Sequence, residues 1–169
     1  MTTVGDPLPS ETGVERSLYS GAVPQRPGSL DLTPLESAVA QLEEALRCYG
    51  RAEQLPYGWL PRQLRAAVIQ AFEFTYELAF GMLRRHLAAS APDPGRVERM
   101  TFNEIIRVAL DLGLVSAELP AWRRFRKHRG TTSRTYSEAR AVVVFEAVPG
   151  FLEEARYLLA RLGERNPPA

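Results

Sequence analysis

Apolar residues recur at helical spacing through most of the chain beyond Thr33, and no stretch alternates as a half-buried strand does. Leu35, Val39, Leu42, Leu46 and Tyr49 predict a first helix. It opens at Thr33-Pro34-Leu35-Glu36, where Thr33 suits the cap, Pro34 the first helical position and Glu36 the return half of a capping box. Gly50 weakens its end, and Pro56 and Pro61 stop it. A second helix follows over residues 61–89 with two apolar stripes, Ile69-Phe72-Tyr76-Phe80-Leu83-Leu87 and Phe74-Leu78-Met82. Two stripes predict cover on more than one side, from a central place in a bundle or from a dimer partner. Residues 91–95, Ala-Pro-Asp-Pro-Gly, read as a loop. A third helix starts at a second capping box, Thr101-Phe102-Asn103-Glu104, carries Ile105, Ile106, Ala109 and Leu112, and ends at Gly113. A fourth covers roughly residues 118–128. A fifth begins near Thr135-Tyr136-Ser137-Glu138, a third capping box, and carries Val142, Phe145, Leu152, Ala155, Leu159 and Leu162, with a kink or short break expected at Pro149-Gly150. The expected fold is all-α, an up-and-down bundle of four or five helices.

The ends differ from this pattern. Residues 1–32 are rich in Pro, Gly, Ser and Thr without periodicity and predict a flexible tail. The bundle is expected over residues 33–164, and residues 165–169 as a disordered C-terminus. An apolar fraction of 45% and a charged fraction of 24% fit one globular domain. The one cysteine, Cys48, cannot form an internal disulfide. The first residues lack a signal-peptide pattern and the longest apolar run is Ala141-Val142-Val143-Val144-Phe145, so a cytoplasmic protein without a membrane segment is expected.

Charge changes the picture locally. The net charge is +1, yet residues 120–137 hold six Arg or Lys and no acid, which leaves −5 for the remainder. Such a patch steers and binds a polyanion. Arg129 lies seven positions after Trp122, within roughly 20° of it on a helix. Arg126 and Phe125 fall near the same face, where a guanidinium can stack on a ring and hold a phosphate. Arg123, Arg124 and Lys127 point elsewhere and supply general electrostatics. Gly130-Thr131-Thr132-Ser133 can form an anion-binding corner before the next helix, or an ordinary interhelical turn. The candidate polyanion-binding residues are Trp122, Arg126, Lys127, Arg129, Thr132 and Ser133. Glu73 and Glu77, one turn apart, read as surface carboxylates or as partners for the basic groove. Cys48, His86 and His128 lack metal-site spacing, no Gly-rich phosphate loop is present, and no cofactor is expected.

Two blocks resemble the HEPN family, in the branch paired with minimal nucleotidyltransferases. That branch carries Arg-x4-His-x-Tyr, commonly within Ser-His-Thr-Tyr; this chain has Arg129, then Arg134, Thr135 and Tyr136, within Ser133-Arg134-Thr135-Tyr136. Phe72-Glu73-Phe74-Thr75-Tyr76-Glu77-Leu78-Ala79 and Trp122 are similar to the family as well. The resemblance spans residues 36–162. It implies a homodimeric helical bundle in which active members cleave RNA without a metal, using the motif Arg and His. It also implies a minimal nucleotidyltransferase as partner, thought to attach adenylate to the motif Tyr, here Tyr136. The catalytic pair would be Arg129 and Arg134, but Arg134 stands where the family has His. Arginine stays protonated and cannot act as a general base at neutral pH. His128, adjacent to Arg129, points about 100° from it on a helix and is a poor substitute. The resemblance thus implies a nucleotidyltransferase partner subunit with weak or absent cleavage, or alternatively an active ribonuclease toxin neutralised at Tyr136. A helical scaffold with a solvated basic face is the plainer third reading.

Overall fold

The computed structural model describes residues 29–131 and 137–166. The described residues form six helices: α1 (Thr33–Ala52), α2 (Leu60–Ser90), α3 (Pro94–Arg99), α4 (Phe102–Asp111), α5 (Leu119–Thr131) and α6 (Glu138–Arg165). The long helices α1, α2 and α6 pack on one another; α3 lies on α2, and α5 is held against α2, α4 and α6. This is the all-α bundle that the periodicity predicts. Among the described residues no helix is long and apolar enough to cross a membrane.

The core is one cluster drawn from all six helices. Leu35, Val39 and Leu42 of α1 meet Val68, Phe72, Tyr76, Met82 and Leu83 of α2 and Val144, Val148, Phe151 and Leu158 of α6, all buried. Within each helix the buried residues fall mostly at spacings of three, four or seven, which puts them on one face. Buried Thr75 ties α1 to α2, its hydroxyl donating to the carbonyls of Ala71 at 2.7 Å and Ala38 at 3.2 Å. On the second predicted stripe of α2, Met82 is buried and Leu78 half-buried, but Phe74 is 55% exposed. No described element of the bundle reaches that far around the helix.

Several helix ends depart from expectation. The α1 cap is Leu32, not Thr33; Asp31 accepts from the Thr33 N–H, so the box with Glu36 does not form. Pro94 starts α3 inside the stretch read as a loop, because its fixed φ suits the first turn and buried Val97 anchors the helix on α2. The box at Thr101 and Glu104 is present in both halves. Gly113, at φ +65°, ends α4: its N–H donates to the Leu110 carbonyl and that of Leu114 to Ala109, a pattern that needs the left-handed conformation glycine adopts freely. The α6 cap is Ser137, whose hydroxyl accepts from the Arg140 N–H; Thr135 and Tyr136 of the expected third box lie outside the described residues. Helix α6 then runs through Pro149 without a break. Pro149 is exposed, so water can take the carbonyl it leaves unpaired, while buried Val148 and Phe151 hold the helix on both sides. Leu30 and Asn166 pair across the bundle, the Asn166 amide accepting from the Leu30 N–H and donating to its carbonyl, each at 2.8 Å.

Candidate functional site

The basic helix α5 carries five cations and no acid between Leu119 and Thr131. Its apolar side is fixed first. Trp122 is fully buried and Phe125 7% exposed. They pack edge-on to each other, and Phe125 meets Phe151 at 5.3 Å; Tyr76 lies 6.2 Å from Trp122 and 6.0 Å from Phe151. The indole N–H of Trp122 donates to Glu154 of α6 at 3.1 Å. The Glu154 carboxylate, itself 2% exposed, also accepts from the backbone N–H groups of Ser116 (3.0 Å) and Ala117 (2.9 Å) and from the Ser116 hydroxyl. One buried acid thus satisfies the strand of chain that enters α5 and the ring that anchors it. Glu154 escaped the sequence reading; its trace was an acid on the apolar stripe Val148-Phe151-Ala155-Leu158-Leu162.

With that side buried, the other residues of α5 face outward or toward α2 and α4. The Arg126 guanidinium lies over the Phe102 ring, 4.6 Å from its centroid. Phe102 in turn meets Phe80 at 5.2 Å, and Phe80 stacks on Tyr76. Arg123 donates to the Asn103 side chain at 3.1 Å. Arg129 pairs with Glu77 of α2. Glu73, one turn back, has its carboxyl raised above the usual range by burial, with Arg129 pulling the other way. Burial likewise raises the Tyr76 phenol, against the pull of Arg126 and Arg129. Glu73, Tyr76 and Glu77 therefore line α2 opposite Arg126 and Arg129, and the two acids are the groove partners that the sequence reading allowed for. His128 is half-buried and stays neutral near pH 7, since burial, then Lys127 and Arg124, hold it below its ordinary value.

Two expectations are corrected. Trp122 cannot stack on a ligand, because its ring has no exposed surface; it positions α5 instead. Arg129, about 10 Å of axial rise farther along the helix, is exposed and pairs with Glu77 of α2. The guanidinium that does stack is Arg126, on Phe102 rather than on Trp122. Lys127 is exposed on α5. Thr132, Ser133, Arg134, Thr135 and Tyr136 lie outside the described residues. Among the described residues, no three or more His, Cys, Asp and Glu side chains gather as metal ligands.

Residues 30–164 match the family described as nucleotidyltransferase substrate binding protein like. A protein of Haemophilus influenzae named Probable ribonuclease HepT is 32% identical over 144 residues, which span 81% of this chain and 94% of that protein. A solved structure from the same organism, described as revealing the fold of a substrate binding domain of a nucleotidyltransferase, superposes with a TM-score of 0.73 at 30% identity, covering 79% of this chain and 99% of the other.

Proposed function

The chain belongs to the nucleotidyltransferase substrate binding protein like family, within the HEPN proteins, and on that premise we propose that it is the homodimeric partner subunit of a minimal nucleotidyltransferase in a cytoplasmic toxin–antitoxin-like pair. It binds RNA or a nucleotide through the outer face of α5 and does so without efficient cleavage. The observation that carries this reading is the arrangement at the end of α5: Arg129, held by Glu77, points the family's motif arginine along a helix of five cations, while position 134 holds Arg rather than His. A guanidinium stabilises phosphate charge but moves no proton at neutral pH, so binding is retained and acid–base catalysis is not. Glu77 acts as a positioning residue for Arg129. Tyr136 is the acceptor for any adenylate the partner attaches, which would place negative charge next to the basic face and weaken RNA binding there.

The name carried by the Haemophilus influenzae relative favours a second reading, an active metal-independent ribonuclease neutralised by modification of Tyr136. The two separate in one assay. The purified protein is incubated with a mixed RNA pool beside Arg134→His and Arg129→Ala variants. Cleavage by the Arg134→His form alone supports a binding subunit that lacks its general base. Cleavage by the natural protein that Arg129→Ala abolishes supports the ribonuclease. Co-purification with a nucleotidyltransferase encoded beside it tests the partnership.

A further inference from the structure

Beyond α5, a basic concavity lies between α3 and α4. A pocket of about 400 Å³ is lined by Arg96, Arg99, Met100, Glu104, Arg107 and Val108. Arg96 and Arg99 are three residues apart on α3 and so share a face; Arg107 reaches in from α4. One acid stands among them, and it is already engaged. Glu104 accepts from the Thr101 N–H and hydroxyl, both at 2.7 Å. Those bonds, then Arg107 and Arg96, hold its carboxyl below the usual range. Asp93 approaches Arg99 at 3.7 Å, but both side chains are largely exposed, and a pair of that kind is worth under about 1 kcal/mol and yields readily to a phosphate. With three arginines against Glu104 in its lining and Asp93 at its edge, the recess keeps a net positive charge.

It is also continuous with α5. Arg123 is bonded to Asn103, the neighbour of Glu104 in the first turn of α4, and Arg126 covers Phe102 beside it. Arg129, Arg126 and Arg123 succeed one another at three-residue steps, about 4.5 Å of rise each. From Arg123 the line of positive charge passes over the start of α4 to Arg107, Arg96 and Arg99. We propose that this line is one track for a single RNA strand, which enters at Arg129 and ends in the α3–α4 pocket. A mononucleotide is too short to use both ends. The contacts are guanidinium to phosphate, so the track selects for an extended single-stranded polyanion rather than for a base sequence. Met100 and Val108, both half-buried, give the pocket an apolar wall against which a terminal base can lie.

The inference rests on the reading of α5 as an RNA-binding face, and the test separates the two. The full chain is titrated by fluorescence anisotropy with labelled single-stranded RNA of about four and about fifteen nucleotides, over a range of salt. The variants are Arg96→Gln/Arg99→Gln/Arg107→Gln and, as an equal loss of charge elsewhere on the surface, Arg47→Gln/Arg51→Gln/Arg62→Gln. All six arginines are exposed, so folding is expected to survive, and thermal melts verify it. For the long RNA the pocket variant is expected to lower the slope of log affinity against log salt by about 2, at roughly 0.7 for each phosphate that is no longer neutralised. The short RNA and the surface-charge variant should show little change. If the natural protein binds the long RNA and the pocket variant keeps its slope, the track is wrong while the α5 reading stands. Equal reductions in both triple variants, or on both RNAs, also overturn the track, since they indicate diffuse electrostatics. If the natural protein binds neither RNA, the α5 reading fails and the track with it.

Discussion

Replacing Glu154 by alanine removes the acceptor of four donors at once. The Trp122 indole N–H lies in a fully buried ring, so without Glu154 it would be stranded away from water. The backbone N–H groups of Ser116 and Ala117 would be stranded in part, because Ser116 is exposed and water can reach it. A hydrogen bond to a charged group contributes about 1.5–3 kcal/mol, and an unsatisfied buried donor costs about 1–3 kcal/mol. Solvent access at Ser116 discounts two of the four, and the cavity left by the side chain adds to the loss. The expected destabilisation is roughly 3–5 kcal/mol, in the range found when one partner of a buried charged network is removed. For a domain of this size that lowers Tm by roughly 10–20 °C. Glu154→Gln keeps the shape but offers an amide N–H to sites that already donate, so it should lose roughly half as much. Trp122→Phe removes one donor while keeping an aromatic ring. Urea melts of Glu154→Ala, Trp122→Phe and the double variant give a coupling energy, expected to be at least about 1 kcal/mol. A Glu154→Ala loss below about 1 kcal/mol, or zero coupling to Trp122, would refute the view that this acid anchors α5.

Two other outcomes follow from the same geometry. Glu77→Gln removes the ion pair that positions Arg129; RNA affinity is expected to fall a few-fold while stability changes by less than about 0.5 kcal/mol, because the pair is half-exposed. Unchanged RNA affinity would mean that Arg129 does not contact the strand. His86 and His128 are both held below the ordinary value of 6.5, chiefly by burial, so between their folded and unfolded values the unfolded chain binds more protons. Stability therefore falls as the pH drops below 6.5 and is fully kept above it. Thermal melts between about pH 7.5 and 5.5 should show this decline, and a His86→Gln/His128→Gln variant should flatten it; parallel curves would remove the two imidazoles as its source.

The helices were readable because their apolar residues keep a 3.6 period and because turn and cap chemistry is local. Thr101-Glu104 and Gly113 behave as their neighbours dictate. Where the reading slipped, a tertiary contact outweighed a local signal. Pro94 begins a helix because Val97 has somewhere to bury, and Pro149 fails to end one because Val148 and Phe151 do. At the site, the concentration of charge in α5 was legible, as was the chance that Glu73 and Glu77 serve it. The direction of individual side chains was not. Helical angles place Trp122 and Arg129 on similar bearings, but burial depends on what packs against each turn, and only the first turns of α5 meet Tyr76, Phe151 and Glu154. The α3–α4 pocket was hidden for a related reason: Arg96, Arg99 and Arg107 look like scattered surface charges until the turn at Met100 folds two helices toward each other.

The features that hold α5 in place and those that would make it a nuclease come from different parts of the chain. Trp122, Phe125, Phe151 and Glu154 fix the helix, and Phe102 and Glu77 direct Arg126 and Arg129. On the proposed reading, Arg at position 134 in place of the family's His removes a proton carrier and supplies a positive charge. On that reading cleavage is lost while phosphate binding is kept. The Arg134→His variant should therefore melt at the temperature of the natural protein and bind RNA no more tightly, and any difference it shows in turnover reports on chemistry alone.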